Sequence, residues 1–443
     1  MTKSLFIALF AALSLQSAQA QQPWSLRQCT EYAVEHNIGV KQKANAERQR
    51  EVQLSTAKNS RLPNATFQAN ESFNFGRAQT IDGTYSNRNT NNTSMSLGTN
   101  VPLFTGFNIT NTIKMNQLNL DAAVQDLEKA RNDIRMQVAK GYVQILYDME
   151  IVDVAHRQVT IDSMQVARLQ GLYENGKASQ AELSQQEATL AKSRLTATQA
   201  DNTRQLSLLT LSQLLELPTP EGFSIIRPSL DNLDALETSH QLVSPELIYR
   251  EALTFKPEIL AEELRLRGTD HNIKIAQAAL YPTLNFNAGL QSNYFKTNGV
   301  NSDAFFTQLK NNFAQYVGVS LNYTLFNRLA TRNNIRRARI DRETQQLTLN
   351  NAKKVLYKEI QQAYYSAVAA QAKHESSKVA AQSSKQAFEL MQAKYENGKA
   401  TMVEFDDAKN KYLKAESDLV QSRYEYLYQT ALLEFYRGHE LTF

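Results

Sequence analysis

The six residues YENGKA occur at 173–178 and again at 395–400, and the chain around them repeats as well. Ser25, Ala33 and Pro63 recur as Ser244, Ala252 and Pro282 at an offset of 219. Leu103-Phe104 and Tyr142 recur as Leu325-Phe326 and Tyr364 at 222, the offset of the hexapeptide itself. A chain that repeats once across its length is expected to fold as two like halves. A net three residues enter between the matched prolines and the matched Leu-Phe pairs, so 64–102 and 283–324 are the segments that tolerate insertion. The first repeat is expected over 21–217 and the second over 244–443, with 218–243 as the link between them.

All nine prolines lie at 23, 63, 102, 218, 220, 228, 245, 257 and 282. Two long runs therefore hold none, and a helix interior excludes proline. In the first run Ile134, Val138, Tyr142, Ile145, Met149 and Val152 recur at spacings of three and four, which predicts an amphipathic helix over about 108–172. At about 1.5 Å per residue it would be roughly 100 Å long, the length of a coiled or bundled rod. The hexapeptide then reads as the end of that helix. Asn-Gly can close it in a left-handed cap, and Ser179-Gln-Ala-Glu182 in one copy and Thr401-Met-Val-Glu404 in the other form capping boxes that start the next helix. Each copy is thus the tip of a helical hairpin, the alternative being a glycine-marked kink in one longer helix.

Inside each tolerant segment the period changes to two. Phe67, Ala69, Phe73 and Phe75 alternate with polar residues, as do Leu284, Phe286, Ala288 and Leu290; Met95, Leu97, Val101 and Leu103 continue the pattern, with Val317, Val319, Leu321, Tyr323 and Leu325. This predicts four strands, near 64–76, 93–105, 283–296 and 314–326, apolar on one face and rich in Asn, Ser and Thr on the other, with the Asn-, Thr- and Gly-rich segments 76–93 and 296–312 as the loops joining each pair. Length and pattern match the strands of a membrane β-barrel, although hairpins half-buried on a soluble domain share the periodicity. Four strands do not close a barrel, and open edges are not viable in lipid. If the strands lie in a membrane, several chains must pool them.

The first twenty residues carry Lys3, an apolar run from Leu5 to Leu15, and Ala18 and Ala20 at an A-x-A site, which predicts a signal peptide over 1–20. The one cysteine, Cys29, excludes an internal disulfide. It lies nine residues past the expected cleavage site, so it is not the terminal cysteine of a lipoprotein. A formal net charge of +4 with mixed signs along the helices argues against nucleic acid as a partner. The six histidines at 36, 156, 240, 271, 374 and 439 show no metal-ligand spacing, and no phosphate-binding loop, dinucleotide fingerprint or nucleophile elbow occurs. No enzyme activity, metal or cofactor is expected. One acidic group stands out: Glu404, Asp406 and Asp407 follow the second tip. Helix capping and charge near a helix N-terminus account for it locally. In a symmetric oligomer the same acids would form rings around the axis, attracting cations at a constriction. Gln185 stands where the second copy has Asp407.

The export signal, the duplication, two strands inserted in each half, and tips of the form Y-x-x-G-x-x-[ST]-x-x-[DE] together resemble the outer-membrane efflux proteins of the TolC type. Ala33 to Asn37 (A-x-x-x-N), Ala252 to Ile259 (A-x-x-x-x-P-x-I) and Pro102 to Gly106 (P-L-F-x-G) add local marks. The resemblance implies a mainly α fold with membrane β: a homotrimer whose twelve pooled strands form one outer-membrane barrel in lipid, continued by a helical tunnel into the periplasm. It implies a passive exit duct of a tripartite efflux or type I secretion system. An inner-membrane transporter would supply energy, and a periplasmic adaptor would dock its own hairpin around the tips at Gly176, Lys177, Ser179, Gly398, Lys399 and Thr401. The acids of the periplasmic entrance fall on Glu404 and Asp407. Tyr395 and Glu182 fall where a closed-state hydrogen bond between neighbouring helices is expected. Ala400 stands where some relatives place a latching arginine, and Asn327-Arg328-Leu329 lacks the glycine found at 106. A periplasmic adaptor or a structural coiled-coil protein also carries helical hairpins. The first should have one hairpin rather than two in register, and the second needs no alternating strands.

Overall fold

The computed structural model describes residues 23–79, 83–218, 221–228 and 242–441. The expected signal peptide and most of the expected link between repeats lie outside them. The chain divides into two units. One comprises 46–125 and 260–350 and carries the strands; the other comprises residues up to 45, 126–259 and 351–443 and is helical.

In the first unit the strands are β1 (Asn64–Asn74), β2 (Arg77–Gln79), β3 (Tyr85–Asn87), β4 (Thr90–Phe104), β5 (Thr283–Thr297) and β6 (Ala314–Asn322). The main sheet is antiparallel in the order β1-β4-β5-β6, so each half of the chain supplies two strands and the β4–β5 pair joins the halves. Register explains the two-faced sequence. Phe67 pairs with Leu97 and Leu97 with Leu290; Val101 pairs with Phe286 and Phe286 with Val319, giving one continuous apolar face. The other face is stitched by amides and hydroxyls. Asn64 Oδ1 accepts from the Asn100 N–H at 2.7 Å, Asn100 Nδ2 donates to Asn287 Oδ1 at 2.6 Å, and Asn287 Nδ2 donates to Ser320 Oγ at 3.0 Å.

Two details differ from the sequence expectation. Strand β6 stops at Asn322 rather than near 326, because its last partner, Thr283, is preceded by Pro282, which has no N–H to continue the ladder. The joining segments are also partly ordered. A small β2–β3 hairpin fills the first, and a seven-residue helix, α7 (Phe305–Asn311), sits in the second.

After each hairpin the chain must turn sharply into a long helix, and in both halves it does so through two consecutive left-handed residues. These are Gly106 (φ 61) with Phe107 (φ 66), and Arg328 (φ 56) with Leu329 (φ 62). A Cβ on Gly106 would lie 2.5 Å from the Ala278 carbonyl oxygen and 2.9 Å from Tyr281 Cβ, so backbone contact as well as φ requires glycine there. At the equivalent turn Asn327 secures the backbone instead, its Nδ2 donating to Thr331 Oγ1 at 2.6 Å and its Oδ1 accepting from the Thr331 N–H.

The helices, in chain order around α7, are α1 (Leu26–His36), α2 (Ile38–Asn59), α3 (Asn108–Glu174), α4 (Gln180–Leu214), α5 (Pro245–Phe255), α6 (Pro257–Ala278), α8 (Ala330–Glu396) and α9 (Met402–Tyr436). The repeat is visible in their lengths: α3 and α8 have 67 residues each, α4 and α9 have 35. In the helical unit the apolar stripe of α3 at Val138, Tyr142, Ile145 and Leu146 packs on Cys29, Ala33, Leu211, Leu215, Phe223 and Ile225. The Tyr142 hydroxyl donates to the Ile226 carbonyl at 2.6 Å and pins the extended segment that pairs Ile225 with Trp24. Cys29 is completely buried there, and burial pushes its thiol up to about 12, so it behaves as a small apolar residue.

Candidate functional site: the paired hairpin tips

Both occurrences of YENGKA close a helix and turn it. The α3 helix ends at Glu174 and α8 at Glu396; Gly176 (φ 70) and Gly398 (φ 69) take the left-handed positions. The Lys177 N–H reaches back to the Leu172 carbonyl at 2.8 Å, and the Lys399 N–H to the Lys394 carbonyl at the same distance. This is the six-to-one bond of a left-handed helix cap. The next helix starts three residues later in a capping box. Glu182 Oε2 accepts from the Ser179 N–H at 2.8 Å while Ser179 Oγ accepts from the Glu182 N–H at 3.2 Å; Glu404 and Thr401 reproduce these bonds at 2.8 and 3.3 Å. The two tips are therefore built identically, as turns rather than kinks.

The backbone N–H bonds hold both Glu182 and Glu404 below the ordinary carboxyl value of 4.5. A carboxyl lowered by folding stabilises the folded state above its unfolded pKa, and that contribution is lost as pH falls through the folded value. The tips are thus expected to be fully capped at neutral pH and to loosen only below about pH 4.5. Amide hydrogen exchange at Ser179 and Thr401, corrected for the intrinsic rate, should stay slow down to about pH 4.5 and accelerate only below it.

Lys177, Ser179, Lys399 and Thr401 are all exposed, as are Glu404 and Asp407. Asp407 pairs with Lys411 at 2.6 Å in solvent. Glu182 spends its carboxylate on its own cap, and Tyr395 meets other residues within the chain. Its ring stacks on Phe405 with centroids 5.0 Å apart, and the Arg168 guanidinium lies 5.0 Å from its centroid. Arg168 also donates from Nη2 to the Glu396 carbonyl at 3.0 Å.

That arginine belongs to a set of links between the two hairpins that the sequence reading did not single out. Lys409 Nζ of α9 lies 2.5 Å from Asp162 Oδ1 of α3 and 2.7 Å from Asp406 Oδ1, and Ser193 Oγ of α4 donates to Asp162 Oδ2. The Lys409 and Asp162 side chains retain 1% and 0% of their exposure. Further along, Arg157 pairs with Glu416 at 2.7 Å. A signal was present. Phe405, Lys409 and Leu413 are spaced by four on one buried stripe, and Asp162, Gln165 and Leu169 by three and four on another. A charge on each of two apolar stripes is the mark of a pair buried between helices. Among the described residues no cluster of His, Cys, Asp and Glu can hold a metal ion. No described helix is long and apolar enough to cross a membrane.

The family model described as outer membrane efflux protein matches residues 31–216 and 248–439, one stretch in each repeat. Solved structures share the fold at low identity. The outer membrane protein VceC from Vibrio cholerae superimposes with a TM-score of 0.75 at 18% identity, covering 94% of this chain and 97% of its own. The CmeC outer membrane channel of Campylobacter jejuni gives 0.77 at 18% identity over 94% and 87%. The MtrE outer membrane channel of Neisseria gonorrhoeae, in its open state, gives 0.74 at 17% identity over 94% and 89%. No curated protein matches the chain.

Proposed function

We propose that this chain, which belongs to the outer membrane efflux protein family and forms an efflux duct of the outer membrane with a periplasmic extension, works as a homotrimer whose twelve pooled strands close one barrel. The observation that carries the reading is the pair of free sheet edges. Strands β1 and β6 each pair on one side only, and their residues are exposed throughout, Phe67 at 68% and Leu321 at 69%. A free edge beside an apolar face is unstable both in water and in lipid, and pairing β6 of one copy with β1 of the next removes it. Three copies give twelve strands, enough to enclose an aqueous bore. The purified protein in detergent should run as a heat-modifiable trimer and conduct in planar bilayers. A detergent-free soluble monomer would contradict the reading.

The hairpin tips are the periplasmic gate in this proposal. An adaptor docks around Gly176, Lys177, Ser179, Gly398, Lys399 and Thr401 and favours the open state by binding it more tightly; an inner-membrane transporter supplies cargo and energy through the adaptor. Opening separates the first hairpin from the second, so it breaks the Arg168, Lys409 and Arg157 links. In the closed state Glu404 and Asp407 of three copies ring the axis, Tyr395 and Glu182 lie at the interface of neighbouring helices, and the acids attract cations into the constriction. The E404Q/D407N variant should need roughly tenfold more divalent cation for half-block of conductance. Unchanged block would remove both acids from the constriction.

A further inference from the structure

Charge is distributed unevenly in the strand-bearing unit. The four segments that meet the same end of the sheet are 52–62 before β1, 105–120 after β4, 271–281 before β5 and 323–340 after β6. Together they hold Lys58, Arg61, Lys114, Lys274, Arg328, Arg332, Arg336, Arg337 and Arg339, and no aspartate or glutamate. All nine basic residues are exposed. A chain with 48 basic and 44 acidic residues would ordinarily mix the signs, and at the opposite end of the sheet it does: Arg77, Arg88 and Lys310 stand among Glu71 and Asp303.

The densest part lies on α8. Arg332, Arg336 and Arg339 follow at spacings of four and three, one exposed stripe, with Arg328 one turn before it. Like charges one turn apart on a helix repel. No acidic or hydrogen-bonding partner reaches Arg332, Arg336 or Arg339 among the described residues, while Arg342, just below, is satisfied by Asp270 at 2.6 Å. Two to four residues beyond each strand end stands an exposed apolar side chain: Leu62, Phe107, Tyr281 and Phe326. Apolar and aromatic residues followed within a turn or two by snorkelling Arg and Lys mark the boundary between hydrocarbon and headgroups.

We infer that this collar is a binding surface for anionic phospholipid headgroups of the periplasmic leaflet. The inference rests on the reading of the four strands as the membrane segment. The chemistry is that of a guanidinium fork on phosphate oxygens, reinforced by the negative potential of an anionic leaflet. The collar supplies the charge, and the apolar residues above it set the depth at which the headgroups lie.

The test uses the full-length protein in mixed micelles doped with phosphatidylglycerol or phosphatidylcholine, with bound lipid counted by native mass spectrometry. The wild type is expected to prefer phosphatidylglycerol by roughly tenfold or more, to lose that preference as salt rises from about 50 to 500 mM, and to keep it against millimolar inorganic phosphate. The R332Q/R336Q/R339Q variant should lose the preference, and R332K/R336K/R339K should retain most of it. Equal binding of the two lipids, a preference unaffected by salt, or one that survives the glutamine changes would overturn the inference. Displacement by inorganic phosphate would do so too, by making the site one for free anions. Altered ion selectivity of the glutamine variant with unaltered lipid preference would place the stripe in the bore. Should the glutamine variant fail to assemble, the salt series and the lysine variant still decide. Absence of conductance in the wild type would count against the trimeric barrel instead, a separate failure.

Discussion

Replacing Lys409 with methionine should destabilise the paired hairpins by about 3–5 kcal/mol, the usual effect of leaving one member of a buried ion pair uncompensated. Asp162 would remain with no exposure and only the Ser193 hydroxyl as partner, so its charge could be relieved only by admitting water or by moving the hairpins apart. Changing both residues to apolar ones of similar size, D162L/K409M, should be near neutral or stabilising by up to about 4 kcal/mol, because desolvation of two charges offsets most of their attraction. The pair therefore adds little net stability but makes the hairpins separable, since both charges regain water when they part. Under the proposed gating, the single variant should conduct more than the wild type and the double variant less. Urea unfolding of the helices, followed by circular dichroism in detergent, measures the first effect; planar-bilayer conductance measures the second. A loss below about 1 kcal/mol for K409M would be the value of an exposed pair and would show that water reaches the site.

Gly106→Ala should prevent correct formation of the turn from β4 into α3. The left-handed conformation alone costs a non-glycine residue about 1–2 kcal/mol, and the new Cβ meets the Ala278 carbonyl at 2.5 Å and Tyr281 Cβ at 2.9 Å. Neither is the far end of a flexible side chain. A total of roughly 3 kcal/mol is expected, within the range for overpacking combined with backbone strain. Arg328 occupies the same place in the second half with φ 56, so R328G should be tolerated or stabilise by up to about 1 kcal/mol. The yield of heat-modifiable oligomer separates the two: nearly absent for G106A, at least wild-type for R328G. Equal yields would mean that contact with Ala278 does not constrain the turn.

Much of this protein is local information. Apolar spacing of three and four, proline-free runs, Asn-Gly before a capping box and alternation over some ten residues all act within a few turns of chain, and they suffice to place the long helices, both tips and the four main strands. Identical hexapeptides make identical turns because every bond in them, from Leu172 to Glu182 and from Lys394 to Glu404, closes within eleven residues. The end of β6 was less legible because it depends on Pro282, just before the partner strand β5 and 40 residues earlier. The small β2–β3 hairpin and α7 were missed because Asn, Gly, Ser and Thr weaken any period.

Only the folded chain decides which charges are buried together. Asp162 and Lys409 are 247 residues apart, and nothing near either one names the other; the charged residue on each apolar stripe announced that a partner exists, and the packing of α3 against α9 chose it. The same holds for the paired turns. Gly106 corresponds in the repeat to Arg328, and Glu216 (φ 59) to Gly438 (φ 94), so each half keeps glycine at one of these left-handed positions and abandons it at the other. Backbone geometry obeys the duplication where side chains no longer do, because long-range packing over-determines a turn that local preference alone would refuse.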